Sequence, residues 1–102
     1  MLTVRIFTHP ACAGCGPVVK GAWELQEAAK GELAFHLETV TLAEKDGLSE
    51  AFARGIKTIP TVVFLDGDKE IDRIVGAPEP GELRKRLTIA ASAAEQGSEN
   101  LT

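Results

Sequence analysis

The residues in this sequence best suited to covalent chemistry are its only two cysteines, Cys12 and Cys15. They lie between a short apolar run at residues 2–7 and a helical pattern at residues 18–29. A strand that leads into a helix through such a turn places both sulfurs at the helix N-terminus, where unpaired backbone N–H groups and the helix dipole favour a thiolate. The spacing therefore predicts a redox-active or metal-binding pair of cysteines.

The composition is typical of one globular domain. The chain has 102 residues, 44% of them hydrophobic and 25% charged, and its formal net charge is −4. This length suits a single core, and we expect disorder only at the ends. The acidity argues against nucleic acid or an anionic membrane as a partner, because either calls for a clustered basic face. The basic run Arg84-Lys85-Arg86 is short and falls within a helical pattern.

The N-terminal and apolar segments predict the compartment. Residues 1–5 lack the charged and apolar regions of a signal peptide, and no apolar run approaches the roughly 20 residues that a membrane helix needs. We therefore expect a cytoplasmic protein, in which a permanent structural disulfide would be unusual. In that compartment the cysteine spacing favours redox chemistry or metal binding over a structural cross-link.

Hydrophobic periodicity predicts four strands and three helices. Alternating or continuous β-branched runs indicate the strands, and apolar residues at helical spacing indicate the helices. The predicted strands cover residues 2–7, 34–41, 61–65 and 70–75. The first predicted helix begins within residues 13–16 and ends at residue 29, and the other two cover residues 48–53 and 82–94. We expect Trp23 to seal the first helix against the sheet, and Leu48, Ala51 and Phe52 to share one side of the second.

The order of these elements predicts an α/β fold with the sequence β-α-β-α-β-β-α. Strand-helix-strand units call for parallel neighbours, whereas the turn at Asp66-Gly67 makes the last two strands antiparallel. The result is a four-stranded mixed sheet with helices on both faces. We expect residues 1–95 to form the domain and the polar residues 96–102 to fray.

Three segments give the chain a resemblance to thioredoxin and its small glutaredoxin-like relatives. They are Cys12-Ala13-Gly14-Cys15 after the first strand, Ile56-Lys57-Thr58-Ile59-Pro60-Thr61 before a buried strand, and Val75-Gly76-Ala77 before the last helix. The similarity runs from residue 2 to residue 87. It implies a thioredoxin-like fold and a protein-disulfide reductase that needs no cofactor beyond the redox-active disulfide. It also implies a monomer that receives electrons from a thioredoxin reductase-type donor or from glutathione.

The resemblance also implies roles for individual residues. Cys12 would be the attacking thiolate, and Cys15 would resolve the mixed disulfide. The Ile59–Pro60 peptide bond would be cis, which leaves the backbone of Ile59 free to pair with an extended substrate. The substrate groove would be formed by Ala13, Gly14, Ile59, Pro60, Gly76 and Ala77.

Three positions depart from the family pattern. The dipeptide between the cysteines is Ala-Gly, where thioredoxins usually have Gly-Pro and glutaredoxins Pro-Tyr, so the redox potential and direction stay open. Ile6 replaces the buried acid that thioredoxins carry, and Pro10-Ala11 replaces the aromatic residue before the first cysteine. His9 either lends a proton or a positive charge to the site or is a solvated loop residue.

Other functions remain open from the sequence. A glutathione-dependent glutaredoxin activity would need cationic groups for the tripeptide, and Lys57 is one candidate. A metal or iron–sulfur site would use Cys12, Cys15 and His9, but zinc prefers four protein ligands and His36 lies far along the chain. An inert interaction module is a third alternative, although two intact cysteines at a helix start argue against it.

Overall fold

The computed structural model describes the backbone of residues 2–100 and the side chains of residues 2–79 and 81–94. The predicted order of elements is confirmed. The strands are β1 (Leu2–Thr8), β2 (His36–Thr41), β3 (Thr61–Asp66) and β4 (Lys69–Val75), and the helices are α1 (Cys15–Ala28), α2 (Lys45–Ala53) and α3 (Pro80–Asn100).

The four strands form one mixed sheet, as predicted, and their order is β2-β1-β3-β4. β1 is parallel to β2 and antiparallel to β3, and β3 is antiparallel to β4. The expectation of parallel neighbours holds for β1 and β2 but was wrong for β2 and β3, because β1 lies between them and they run in opposite directions. β3 lies between β1 and β4, and its residues 61–65 are all buried. This burial explains the continuous β-branched and apolar run in its sequence. The parallel register pairs Thr8 with Thr41, so the ends of β1 and β2 lie together beside the loop that carries Cys12.

One face of the sheet is covered by α1 and α3. Side chains from alternate positions of the strands pack there against Val18 and Ala22 of α1 and Leu87 of α3. Alternate strand residues point to opposite faces, so this face receives Val4 and Ile6 of β1. The apolar contact positions α1, whose first residue is Cys15.

The opposite face is covered by α2. A smaller cluster of Phe7, Val63 and Leu65 packs there around Ala51. α2 approaches the end of β2 very closely, because a Cβ added at Gly47 would overlap the carbonyl oxygen of Thr41. Helices therefore lie on both faces, as predicted.

Two predictions about inward-facing side chains were wrong. Trp23 is 53% exposed, because smaller α1 side chains make the contact with the sheet. α2 begins at Lys45 rather than at residue 48, and Leu48 and Phe52 are exposed while Gly47 and Ala51 face the sheet. A helix of only 9 residues offers two possible apolar sides, and the close approach at Gly47 selects one of them.

The C-terminal helix is longer than predicted. α3 runs through Asn100, six residues beyond residue 94. The helix therefore includes residues 96–100, which were expected to fray, while residues 101 and 102 lie outside the described part. The division into a domain at 1–95 and a tail stays a prediction. Within residues 2–100, no helix has the length and hydropathy that a membrane span requires.

Candidate redox site

Cys12 and Cys15 are joined by a disulfide bond. Their Cα atoms are 5.5 Å apart, which is a usual separation for bridged cysteines. The loop that holds Cys12 is closed by two backbone hydrogen bonds. The Cys12 N–H donates to the His9 carbonyl oxygen at 2.9 Å, and the Cys15 N–H donates to the Cys12 carbonyl oxygen at 3.3 Å. The two sulfur-bearing residues are thus carried by one compact turn between β1 and α1.

The two halves of the disulfide differ in accessibility. Cys15 is 3% exposed and packs at the base of α1, whereas Cys12 is half-buried in the preceding loop. An incoming thiol or disulfide can therefore reach Cys12 more readily than Cys15. This asymmetry agrees with the roles that the resemblance implies for the two cysteines.

The start of α1 has no side-chain cap. Its N-cap residue is Gly14, no side chain caps the first turn by a hydrogen bond, and the first turn carries no acidic residue. The first backbone N–H groups of a helix have no partner within the helix. Such a helix start stabilises negative charge on a nearby sulfur.

A proline loop lies against the cysteine turn. The Ile59–Pro60 peptide bond is cis, as predicted, and Pro60 is buried. A Cβ added at Gly14 would lie 4.0 Å from Cδ of Pro60. The Gly76 N–H donates to the Pro60 carbonyl oxygen at 2.8 Å, and Gly76 has a φ of +85°, a conformation that favours glycine. The structure therefore brings Gly14, Pro60 and Gly76 together.

The three other residues predicted for the substrate groove have different surroundings. Ala13 is exposed between the two cysteines. Ile59 is half-buried, and its side chain packs against the cluster beneath α2. Ala77 is exposed and lines a hollow of about 450 Å³ beside Pro17 and Gly21 of α1. Each of the three is the sequence neighbour of Gly14, Pro60 or Gly76, and their roles in binding stay predictions.

A second concavity, which we call the β2-side cleft, opens on the other flank of the disulfide. It has a volume of about 660 Å³ and is lined by both cysteines together with His9, Gly16, Val19, Lys20, Thr39 and Thr41, among others. No sequence motif predicted this cleft. Cys15 and Val19, and likewise Gly16 and Lys20, are four residues apart and so share a helix face, but their proximity to β2 depends on the sheet register.

His9 is tied to its own loop. Its Nδ1 accepts a hydrogen bond from the Ala11 N–H at 3.0 Å, which assigns the proton of the neutral ring to Nε2. The sequence left open whether His9 serves the site or the loop. This contact ties His9 to its loop, and the side chain also lines the β2-side cleft beside the cysteines, so its role at the site stays a prediction.

Solved structures with similar folds include three thioredoxins. Thioredoxin O2 of Arabidopsis thaliana in its oxidised state is 19% identical with a TM-score of 0.75, over 89% of this chain and 76% of that one. The thioredoxin of Fasciola hepatica is 24% identical with a TM-score of 0.74, over 87% and 80%. The thioredoxin of Malassezia sympodialis is 24% identical with a TM-score of 0.75, over 88% and 75%. No family model and no curated protein sequence matches the chain.

The chain has the thioredoxin fold. This confirms the resemblance at the level of the fold. Together with the disulfide at the start of α1, the fold supports thiol–disulfide oxidoreductase chemistry.

In this thioredoxin fold the position of the usual buried acid is apolar. Ile6 is fully buried among the side chains beneath α1 and α3.

The ionisable groups whose pKa departs from its ordinary value lie away from the disulfide. They lie in groups of ion pairs that include Arg5 of β1, Glu50 of α2 and Glu70 of β4. Of the described residues that line the β2-side cleft, none is a carboxylate.

The described residues contain no group of three or more His, Cys, Asp or Glu side chains that could hold a metal ion. His36 is the first residue of β2, roughly 16 Å along the strand from Thr41 at about 3.3 Å per residue. It is exposed and lies 3.9 Å from Glu38. The structure therefore keeps His36 away from the cysteine turn.

Proposed function

We propose that this protein is a thiol–disulfide oxidoreductase that reduces disulfides in other proteins through Cys12 and Cys15. The observation that carries the proposal is the asymmetric disulfide at the start of α1, with an accessible Cys12, a buried Cys15 and the Pro60 loop against the turn. The first turn of α1 supports the reduced state, because unpaired N–H groups stabilise a thiolate at Cys12.

The exchange proceeds in two balanced steps. The Cys12 thiolate attacks one sulfur of the substrate disulfide, and the other substrate sulfur leaves with the bonding electron pair and takes up a proton. Cys15 then loses its proton and attacks the Cys12 sulfur, which expels the second substrate thiolate and forms the Cys12–Cys15 bond. The second substrate thiolate also takes up a proton. The protein's dithiol supplies the two electrons, and the protons that Cys12 and Cys15 release on ionisation balance the two that the substrate sulfurs take up.

The proposed substrate groove lies beside the Pro60 loop. Gly14 and Gly76 leave room for a substrate chain next to the sulfurs, and Ala13 and Ala77 have small side chains at its edges. We propose that the backbone of Ile59 pairs with an extended substrate segment there. A shallow groove with such small side chains suits the varied surroundings of disulfides in different proteins better than one fixed small ligand.

The oxidised protein needs an electron donor to complete a cycle. We propose a thioredoxin reductase-type flavoprotein as that donor, with glutathione as the alternative. Lys57 is an exposed cation two residues before Ile59 and is the residue most suited to hold a glutathione carboxylate on that side.

The test is reduction of insulin disulfides by the full chain, with either a thioredoxin reductase or glutathione supplying electrons. We expect turnover with the reductase and loss of turnover in Cys12→Ser. Turnover with glutathione alone would favour the glutaredoxin-type activity. Equal activity of the Cys12→Ser variant and the wild-type protein would contradict the proposal.

A further inference from the structure

The β2-side cleft is a candidate binding surface that the exchange chemistry above does not use. It lies on the flank of the disulfide formed by α1 and the ends of β1 and β2, whereas the Pro60 loop occupies the other flank. Both Cys12 and Cys15 line it, so a molecule seated there lies beside the disulfide. Its volume of about 660 Å³ is within the usual range for ligand clefts.

The cleft has open space next to the cysteines. A Cβ added at Gly16 would meet no heavy atom within 4 Å. Thr39 lies on β2, which is an edge strand of the sheet. An edge strand has backbone groups on its outer side that the sheet does not pair, and extended peptides bind such groups. These features favour an extended peptide segment over a compact ligand.

The charge of the cleft is positive in an acidic protein. Of the described residues that line it, Lys20 is the one lysine or arginine, and none is a carboxylate. Lys20 is exposed, and no carboxylate of the described residues forms an ion pair with it. The whole chain has a formal net charge of −4, so this site is a local exception. A carboxylate on a bound peptide would complement Lys20.

We propose that the β2-side cleft binds the segment that flanks the reacting cysteine of a protein substrate, and that Lys20 selects segments with an acidic side chain. The inference rests on the proposed function, because it names the class of substrate that the same disulfide exchanges with. It gives a role in substrate selection to Lys20, a residue to which the family resemblance assigns none.

The experiment measures one exchange step with three matched peptides. Each peptide carries a single cysteine activated as a 2-pyridyl disulfide, and the residues flanking that cysteine are Glu, Gln or Lys. The protein is the full chain with Cys15→Ser, so Cys12 attacks the peptide sulfur, forms a stable mixed disulfide and releases 2-thiopyridone with the bonding electrons. The rate of thiopyridone release reports recognition.

We expect the Glu peptide to react about two- to five-fold faster than the Lys peptide, which corresponds to a surface ion pair, and we expect added salt to reduce the difference. Lys20→Glu should reverse the order, and Lys20→Arg should keep it. The matched control is Lys69→Glu, which changes the net charge equally. Lys69 is paired with Asp66 in the hairpin, at the end of β3 and β4 away from the Pro60 loop, so this variant should keep the wild-type order.

Three results would overturn the proposal. Equal rates for the three peptides, or an equal effect of Lys69→Glu and Lys20→Glu, would show that the cleft does not select acidic segments and would leave the proposed function intact. No thiopyridone release from any peptide would contradict the proposed function and this inference together.

Discussion

The two faces of the sheet are stabilised in different ways. The face under α1 and α3 is a continuous apolar cluster that includes Val4, Ile6 and Phe64. The face under α2 has a smaller apolar cluster and, beside it, ion pairs. Arg5 lies 2.7 Å from Glu38 and 2.6 Å from Glu50. The short α2 leaves this face partly open, and the arginines cover what the helix does not.

A second group of contacts extends the charged region across β4. Arg73 pairs with Glu70 at 2.6 Å, and its guanidinium also donates to the Arg54 carbonyl oxygen at 2.9 Å. On the other face, Arg86 of α3 pairs with Asp72 at 2.7 Å, because Asp72 lies opposite Phe64 in the register of β3 and β4. Apolar packing does not depend on pH, whereas carboxylate ion pairs do. The difference indicates that the apolar face holds α1 and the cysteine turn in place, while the charged contacts make stability sensitive to acid.

Phe64→Ala should lower the free energy of unfolding more than Gly47→Ala or Glu50→Gln. Phe64 is fully buried in the apolar cluster beneath α1 and α3, and truncation of such a ring leaves a cavity that costs about 3–5 kcal/mol. Urea unfolding measures the change. The matched control is Phe52→Ala on α2, where the ring is 87% exposed and the effect should stay within about 0.5 kcal/mol. Similar losses in both variants would contradict the assignment of the core.

Gly47→Ala should destabilise the α2 face. The added Cβ would overlap the carbonyl oxygen of Thr41, so α2 must shift, and overpacking of this kind costs about 1–3 kcal/mol. The control is Gly21→Ala in α1, where an added Cβ meets no heavy atom within 4 Å. That change should stabilise the protein by about 0.5–1 kcal/mol, because alanine favours a helix interior. An unfolding midpoint of Gly47→Ala that stays at the wild-type value or rises would show that α2 is packed less closely than described.

The sequence predicts most of the secondary structure because the spacing of apolar residues indicates which side chains of a helix or strand are buried. It indicates the order of all seven elements, and the turn at Asp66-Gly67 indicates the hairpin. It did not predict which side of α2 faces the sheet. Gly47 is a poor helix former, and only the contact with Thr41 across the fold explains its position.

The candidate site was predictable only in part. The cysteine spacing and the Ile59–Pro60 segment mark two of its elements in the sequence. The β2-side cleft was not predictable, because it depends on the register that pairs Thr8 with Thr41, 33 residues later in the chain. The exposure of Trp23 also depends on tertiary packing, since its apolar ring alone favours burial.

Acid should destabilise the protein through its carboxylate ion pairs. Partial burial raises the pKa of Glu50, but hydrogen bonds from Arg54 and Arg5 outweigh it and lower the pKa from its ordinary 4.5. Hydrogen bonds from Arg73 likewise lower the pKa of Glu70, and those from Arg86 lower the pKa of Asp72 from 3.8. A carboxyl whose folded pKa is depressed stabilises the protein above its unfolded pKa and loses that contribution as the pH falls through the folded value. Urea midpoints should therefore be constant near neutral pH and fall below about pH 4.5.

Glu50→Gln should have the smallest effect and should make the acid dependence shallower. The side chain is partly exposed, so the loss near neutral pH should be about 1 kcal/mol or less. Glu27→Gln is the control, because its pair with Lys30 is 3.8 Å long and almost fully exposed. Urea unfolding across a pH series compares the two variants. An acid dependence in Glu50→Gln that matches the wild-type protein would show that this ion pair does not contribute.

Trapping of the mixed disulfide tests the assigned roles of Cys12 and Cys15 most directly. Each full-length single variant, Cys12→Ser and Cys15→Ser, is reduced, incubated with a protein disulfide and analysed by intact mass spectrometry under denaturing conditions. We predict that Cys15→Ser accumulates a covalent adduct with one substrate chain, because nothing resolves it, and that Cys12→Ser does not, because its remaining sulfur is buried. Adduct formation by Cys12→Ser at the same rate, or by neither variant, would contradict the account.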